Sequence, residues 1–136
     1  MSNIRISSQY LKNLSFKSPQ APDIFFKPNT KPNIELSIDL DAKKLSEESY
    51  EVTIKIKAEA DKSEIFVCEA EYSGIFLMQN IEVNMIEQIL LVYCPSILFP
   101  FIRKIISDTT SAGGFPPLMI DPIDFTALYQ KRKKAN

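Results

Sequence analysis

Apolar and polar residues alternate through the first half of this chain, and the period lengthens after residue 80. From Ile4 to Phe16 the even positions Ile4, Ile6, Tyr10, Leu14 and Phe16 are apolar. Arg5, Ser7, Gln9, Asn13 and Ser15 stand between them; Lys12 breaks the apolar face and Leu11 the polar one. Ile34, Leu36, Ile38 and Leu40 alternate with Glu35, Ser37, Asp39 and Asp41, and Tyr50, Val52, Ile54 and Ile56 with Glu51, Thr53, Lys55 and Lys57. A period of two over such lengths predicts half-buried strands with one wet face. A fourth strand is expected over Glu64–Met78. Phe66, Cys68, Ala70 and Tyr72 fall on one face; Ile65, Val67, Glu69 and Glu71 fall on the other, which mixes apolar and acidic residues and suits docking. Gly74 is expected to mark a bulge or bend.

The second half reads as helix. Over Ile81–Tyr93 the residues Met85, Ile86, Ile89, Leu90, Leu91, Val92 and Tyr93 surround most of the circumference. A surface helix has a narrower apolar stripe, so this one is expected to be covered on two sides and to form a subunit interface. Pro95 is expected to end it. Ser96 would cap a second helix, with Pro100 in its first turn and Gly113 and Gly114 as its stop. Asp121 and Pro122 open a last helix, with Asp124 near its start and Lys131, Arg132, Lys133 and Lys134 at its end, as the helix dipole favours. Strands followed by helices predict an α+β fold: a four-stranded antiparallel sheet with helices packed on one side, in one domain over residues 1–136.

Composition narrows the chemistry. The chain has 136 residues, 45% of them hydrophobic, two cysteines, three glycines and no histidine. A serine or cysteine nucleophile would lack an imidazole base, two cysteines cannot build a zinc site alone, and no glycine-rich phosphate loop exists. No enzyme, cofactor or metal is expected; Glu47 and Glu48 read as solvated turn charges. Cys68 and Cys94 read as buried, reduced thiols. The net charge of −1 gives no pull toward nucleic acid, and the basic run Lys131–Lys134 reads as a solvated helix end. Acids concentrate in residues 34–71, where the sheet is placed. Met1–Leu14 lacks the apolar core of a signal peptide, and Pro95 divides the apolar runs Ile89–Tyr93 and Ile97–Phe101, so no membrane insertion is expected.

Apolar residues also occupy unusual places. Ile24, Phe25 and Phe26 lie in a loop punctuated by Pro19, Pro22, Pro28 and Pro32. Phe76 and Leu77 follow Gly74, and Phe115 sits between a glycine pair and a proline pair. Either the loop folds over the core, or these residues line a groove for extended apolar peptides, a task for which rings give large contact area at low entropy cost.

At these positions the chain resembles the SecB family of export chaperones. Tyr93–Phe101 is similar to its YCPxILFPY signature, Gly114–Leu118 to its GxFPxL turn and Asp121–Tyr129 to its APVNFDALF helix. Tyr10–Phe16 with Ser18–Pro22 resembles YxKDxSFExPxAP, and Ser73–Phe76 resembles GGIF. The likeness runs nearly end to end. It implies a cytoplasmic homotetramer, a dimer of dimers, that binds unfolded secretory precursors without nucleotide and delivers them to SecA, whose zinc-binding C-terminal tail docks on the sheet. By that likeness Ile24, Phe25, Phe26, Phe76, Leu77, Phe99 and Phe115 line the client groove, and Met85, Ile86, Ile89, Leu90 and Tyr93 form the oligomer interface. Asn13, Lys17, Val67, Glu69 and Glu71 mark the SecA-docking face. Asn13 and Lys17 stand where the family motif carries acids, and Val67 where it has Leu. A SecB-like chaperone dedicated to one client, such as an antitoxin, is the alternative.

Overall fold

The structure is a computed structural model and describes residues 3–27 and 31–135; Pro28, counted above among the loop prolines, lies outside them. Four strands, β1 (Asn3–Lys17), β2 (Ile34–Lys44), β3 (Ser49–Ala60) and β4 (Phe66–Gln79), form one antiparallel sheet in the order β1-β4-β3-β2. The segment between β1 and β2 therefore crosses one whole end of the sheet. It contains a short 3-10 turn, Asp23–Phe26. Its far end is pinned where Asn33 and Asp61 exchange two hydrogen bonds: Asp61 N–H to the Asn33 carbonyl at 2.9 Å, and Asn33 N–H to Asp61 Oδ1 at 2.8 Å.

The alternation in β2, β3 and β4 decides the faces. Even positions register with even positions, as in Ile38↔Ile56 and Ile56↔Ala70. Val52, Ile54, Ile56, Phe66, Cys68, Ala70 and Phe76 make the buried face, and all helices lie on that side. The odd positions face away. β1 follows the same logic only after two corrections. Its register against β4 shifts between Ile6 and Ser8 and again between Leu11 and Asn13. Each bulge inserts one residue and flips the face. Leu11 thus pairs with Tyr72 on the core side, whereas Tyr10 pairs with Ser73 on the outer side and donates its hydroxyl proton to Glu51. Leu11, which seemed to spoil the polar face, belongs to the apolar one.

The bulges are in β1, not at Gly74. β4 passes through Gly74 in unbroken register with β3, Val52↔Gly74. A side chain there would come within 3.0 Å of Leu98 Cδ2 and Phe76 Cε2, so glycine is required by the close approach of the helix rather than by a bend.

The helical half departs from the expectation more sharply. Helices α1 (Val83–Gln88) and α2 (Cys94–Ala112) are joined by a π turn over Ile89–Tyr93 into one helix, Val83–Ala112. Pro95 does not end it. In a regular α-helix the Pro95 ring would strike the Leu91 carbonyl, and no N–H would satisfy that oxygen. The π turn ahead of it widens the helix instead: Cys94 N–H donates to Ile89 O, five residues back. Ser96 is not a cap; its hydroxyl donates to the Val92 carbonyl one turn earlier. Pro100 sits inside α2 on its exposed side. The helix stops at Ala112 as expected, and Gly114 takes a φ of +92° that other residues rarely adopt. The last helix, α3 (Phe125–Ala135), begins after Asp124, whose Oδ1 accepts the Ala127 N–H at 3.1 Å. Asp124 is thus the N-cap, and Asp121 and Pro122 precede the helix.

Because the helix is continuous, Val83–Ala112 is long and apolar enough to cross a bilayer by length and composition. Its inner face is the roof of the core: Leu98, Ile102 and Ile106 are fully buried against β3 and β4. That packing explains one side of its hydrophobicity.

Candidate functional site

The crossing segment carries the most exposed aromatics. Its 3-10 turn aims Phe25 at the loop that ends α2, where its ring lies 5.5 Å from that of Phe115 and against Gly114. Phe115 in turn lies 5.0 Å from Phe66 and 6.3 Å from Phe16, and Phe16 stacks on Phe66 at 5.7 Å. Thr110 holds Phe115 in place. Its buried hydroxyl donates to Ile106 O and accepts the Leu118 N–H, while Phe115 N–H reaches the Thr110 carbonyl. Four rings from β1, β4, the crossing segment and the helix stop thus make one aromatic cluster, in which Phe66 is buried beneath the part-exposed Phe16, Phe25 and Phe115. Phe25 is 49% and Phe26 86% exposed, and Ile24 beside them is half-buried.

The remaining expected groove residues lie elsewhere. Phe76 is fully buried in the sheet–helix core. Phe99 is buried edge-on against Phe125 beneath α3, with centroids 6.0 Å apart. Leu77 registers with Arg5 and Ser49 on the outer side, at the end of the sheet away from the crossing segment. Phe16 and Phe66, which complete the aromatic cluster, read in the sequence only as strand residues; their position at strand ends beside the crossing segment is the signal that marks them.

The expected docking residues do share a face. Asn13 pairs with Glu71 and Lys17 with Val67, and Glu69 lies between them opposite Ser15, all on the outer side of β1 and β4. This face is a ladder of mixed charge rather than an acidic field. Lys55 pairs with Glu71 at 3.0 Å, and Lys57 reaches Glu69 at 3.7 Å and Glu59 at 3.4 Å. Glu51 accepts from Tyr10 and Lys12. Its carboxyl is held below the usual range, chiefly by the Tyr10 hydrogen bond, while burial and Glu51 push Tyr10 up to about 12.

The expected interface helix divides in two. Leu90 and Leu91 are buried in the protein's own core, whereas Met85 and Tyr93 remain 43% and 48% exposed and Ile86 and Ile89 half-buried. Leu90 therefore belongs to the protomer's interior. The five-residue π turn, by rotating the helix, separates Leu90 from Tyr93 in a way a regular period does not show.

Both thiols are buried, and burial raises Cys68 to about 11 and Cys94 to about 12. A thiolate reagent at pH 8 is expected to label neither in the folded protein and both after denaturation; labelling of either without denaturant would contradict the packing. Among the described residues no group of acidic or cysteine side chains is placed to hold a metal ion.

An antiparallel sheet of order β1-β4-β3-β2, one long helix containing a π turn and an exposed aromatic crossing segment make up a SecB-like fold. The model of the family described as preprotein translocase subunit SecB matches residues 1–136. The protein-export protein SecB of Parvibaculum lavamentivorans is 44% identical over 132 residues, covering 95% of this chain and 78% of the relative. That of Rickettsia akari is 45% identical over 135 residues, covering 97% and 89%. Among solved structures, a Mycobacterium tuberculosis SecB-like chaperone bound to a peptide from an antitoxin has a similar fold, with a TM-score of 0.71, 16% identity and coverage of 88% and 87%. The chain belongs to the SecB family, and its role is that of a chaperone in protein export. The family is one of chaperones, not of enzymes.

Proposed function

We propose that the protein holds unfolded secretory precursors in an extended, translocation-competent state without nucleotide. The observation that carries this is the part-exposed aromatic surface of Phe16, Phe25 and Phe115, backed by the buried Phe66, with Phe26 exposed beside it. An extended client lays its apolar side chains against such rings, and backbone hydrogen bonds add sequence-tolerant affinity. The outward helix residues Met85, Ile86, Ile89 and Tyr93 join protomers into a homotetramer, a dimer of dimers, in the cytoplasm. Dedication to a single antitoxin is not favoured: the likeness to the antitoxin-bound chaperone is one of fold, at 16% identity, whereas the relatives at 44–45% identity are protein-export proteins. The direct test is whether the purified protein keeps an unfolded precursor from aggregating and leaves its folded form unbound.

Delivery to SecA rests on the outer face of β1 and β4. A basic, zinc-loaded SecA tail meets Glu69 and Glu71 there, but also Lys17, and Lys55 and Lys57 already pair with the two acids. Each exposed attraction is worth roughly 0.2–1 kcal/mol, and a reversed charge changes more. Glu69→Lys is expected to abolish docking and Lys17→Glu to strengthen it about threefold to tenfold. Titration of the tail at two salt concentrations measures both. Unchanged or weaker binding of Lys17→Glu would remove β1 from the docking face.

A further inference from the structure

Tyr10, Lys12 and Glu51 meet on the outer face of the sheet, although β1 and β3 are not neighbours: β4 runs between them. Tyr10 donates its hydroxyl proton to Glu51 Oε2, and Lys12 Nζ reaches Oε1 at 3.1 Å and Oε2 at 3.2 Å. The Glu51 side chain is only 14% exposed. The contact crosses β4 beside Ser73, the partner of Tyr10 in register. Ser73 and its neighbour Thr53 are buried there, on the face away from the helices, and bond each other at 2.7 Å.

This contact falls at the second bulge of β1. Lys12 is the inserted residue, because Leu11 pairs with Tyr72 and Asn13 with Glu71. Without the insertion Lys12 would stand opposite Glu71, and every later residue of β1 would change face. Leu14 and Phe16 would turn outward, taking Phe16 from Phe66 and Phe115; Asn13, Ser15 and Lys17 would turn to the core side. Apolar burial gives part of the preference for the observed register, but Leu14 stays 40% exposed and Phe16 half-buried. The charges add to it. Glu71 is taken by Lys55 at 3.0 Å, which leaves Glu51, turned toward β1 by Tyr10, as the carboxylate for Lys12.

We propose that Tyr10, Lys12 and Glu51 are positioning residues: a clamp across β4 that sets the register of Asn13–Lys17. The clamp acts through β1 on both candidate sites. It keeps Phe16 in the aromatic cluster on one face, and Asn13 and Lys17 beside Glu69 and Glu71 on the other. The functional half of the inference rests on the chaperone reading above; the register half does not.

The test combines amide hydrogen exchange on the full protein with capture of a reduced, unfolded precursor. Lys12→Glu sets two carboxylates against each other. It is expected to speed exchange of the Asn13–Lys17 amides about tenfold and to weaken capture about threefold, with exchange in β2 unchanged. Tyr10→Phe should act in the same direction, about threefold on exchange. Lys12→Glu combined with Glu51→Lys restores the opposite charges and should recover most of both losses, which a simple loss of folding stability would not do. Exchange unchanged in Lys12→Glu and Tyr10→Phe overturns the proposal, as do losses that the charge swap leaves in place. Faster exchange with undiminished capture also overturns it, because β1 would then be fastened without positioning the site. A parent protein that captures no precursor defeats the chaperone reading and this positioning role with it.

Discussion

Replacing Phe25 and Phe26 together with Ser is expected to weaken the capture of unfolded protein at least about thirtyfold while leaving the fold and the oligomer intact. Fully burying one Phe against a client is worth roughly 1.5–3 kcal/mol. Two rings, one already part-covered by Phe115 and one that must be ordered on the client, give less than twice that, and about 2 kcal/mol suffices for the stated factor. The protein itself loses little. Phe26 is 86% exposed and leaves no cavity, and Phe25 gives up its ring contact with Phe115, worth roughly 0.5–1.5 kcal/mol. Binding of a reduced, unfolded test protein, followed by isothermal titration, measures the loss. If the double variant binds as tightly as the parent, the crossing segment is a lid on the core and the groove lies elsewhere.

The second large effect concerns assembly. Met85→Asp combined with Tyr93→Asp is expected to split a tetramer of four 15.5-kDa chains into smaller species that stay folded. Both side chains face outward in the protomer, so the new carboxylates are solvated in the separated chain. In the assembly they would be buried without partners, at a cost of several kcal/mol, on the order of 3–5. Leu90→Asp makes the contrast. Leu90 is 7% exposed inside the protomer, so this change should unfold the chain rather than merely dissociate it. Light-scattering mass and far-ultraviolet circular dichroism separate the two outcomes. A folded Leu90→Asp protein, or an unmutated chain that runs as a monomer at micromolar concentration, would contradict this division of the helix.

The sheet was legible because a period of two leaves little choice: β2 and β3 each bury one face, and a slip of one residue would turn Ile38 or Ile54 to water. β1 was half legible. Its two bulges hide in an apparently faulty alternation at Leu11 and Lys12, and only pairing with β4 shows that the faults are face changes. The helix was misread at Pro95 because a local rule, that proline ends a helix, yields to a packed core. Leu98, Ile102 and Ile106 on one side and Leu90 and Leu91 on the other need a single rigid roof, and the π turn supplies it. The same distortion explains why the wrap-around apolar pattern placed Leu90 with Tyr93. Phe25 and Phe115 were found as aromatics in loops, but their meeting with Phe16 and Phe66 depends on a crossing segment whose path no short-range pattern encodes. The basic run Lys131–Lys134 reads in the sequence as a solvated helix end, and all four residues are exposed in the last turns of α3.

The central claim is that this chain holds precursors before export. The most direct measurement is to dilute a denatured, signal-bearing precursor into buffer with the protein present and nucleotide absent, and to follow light scattering and then import into membrane vesicles carrying the translocation machinery. The account predicts suppressed scattering, retained import competence and no binding once the precursor has folded. Scattering equal to that of the precursor alone, or equal binding of the folded form, would contradict it.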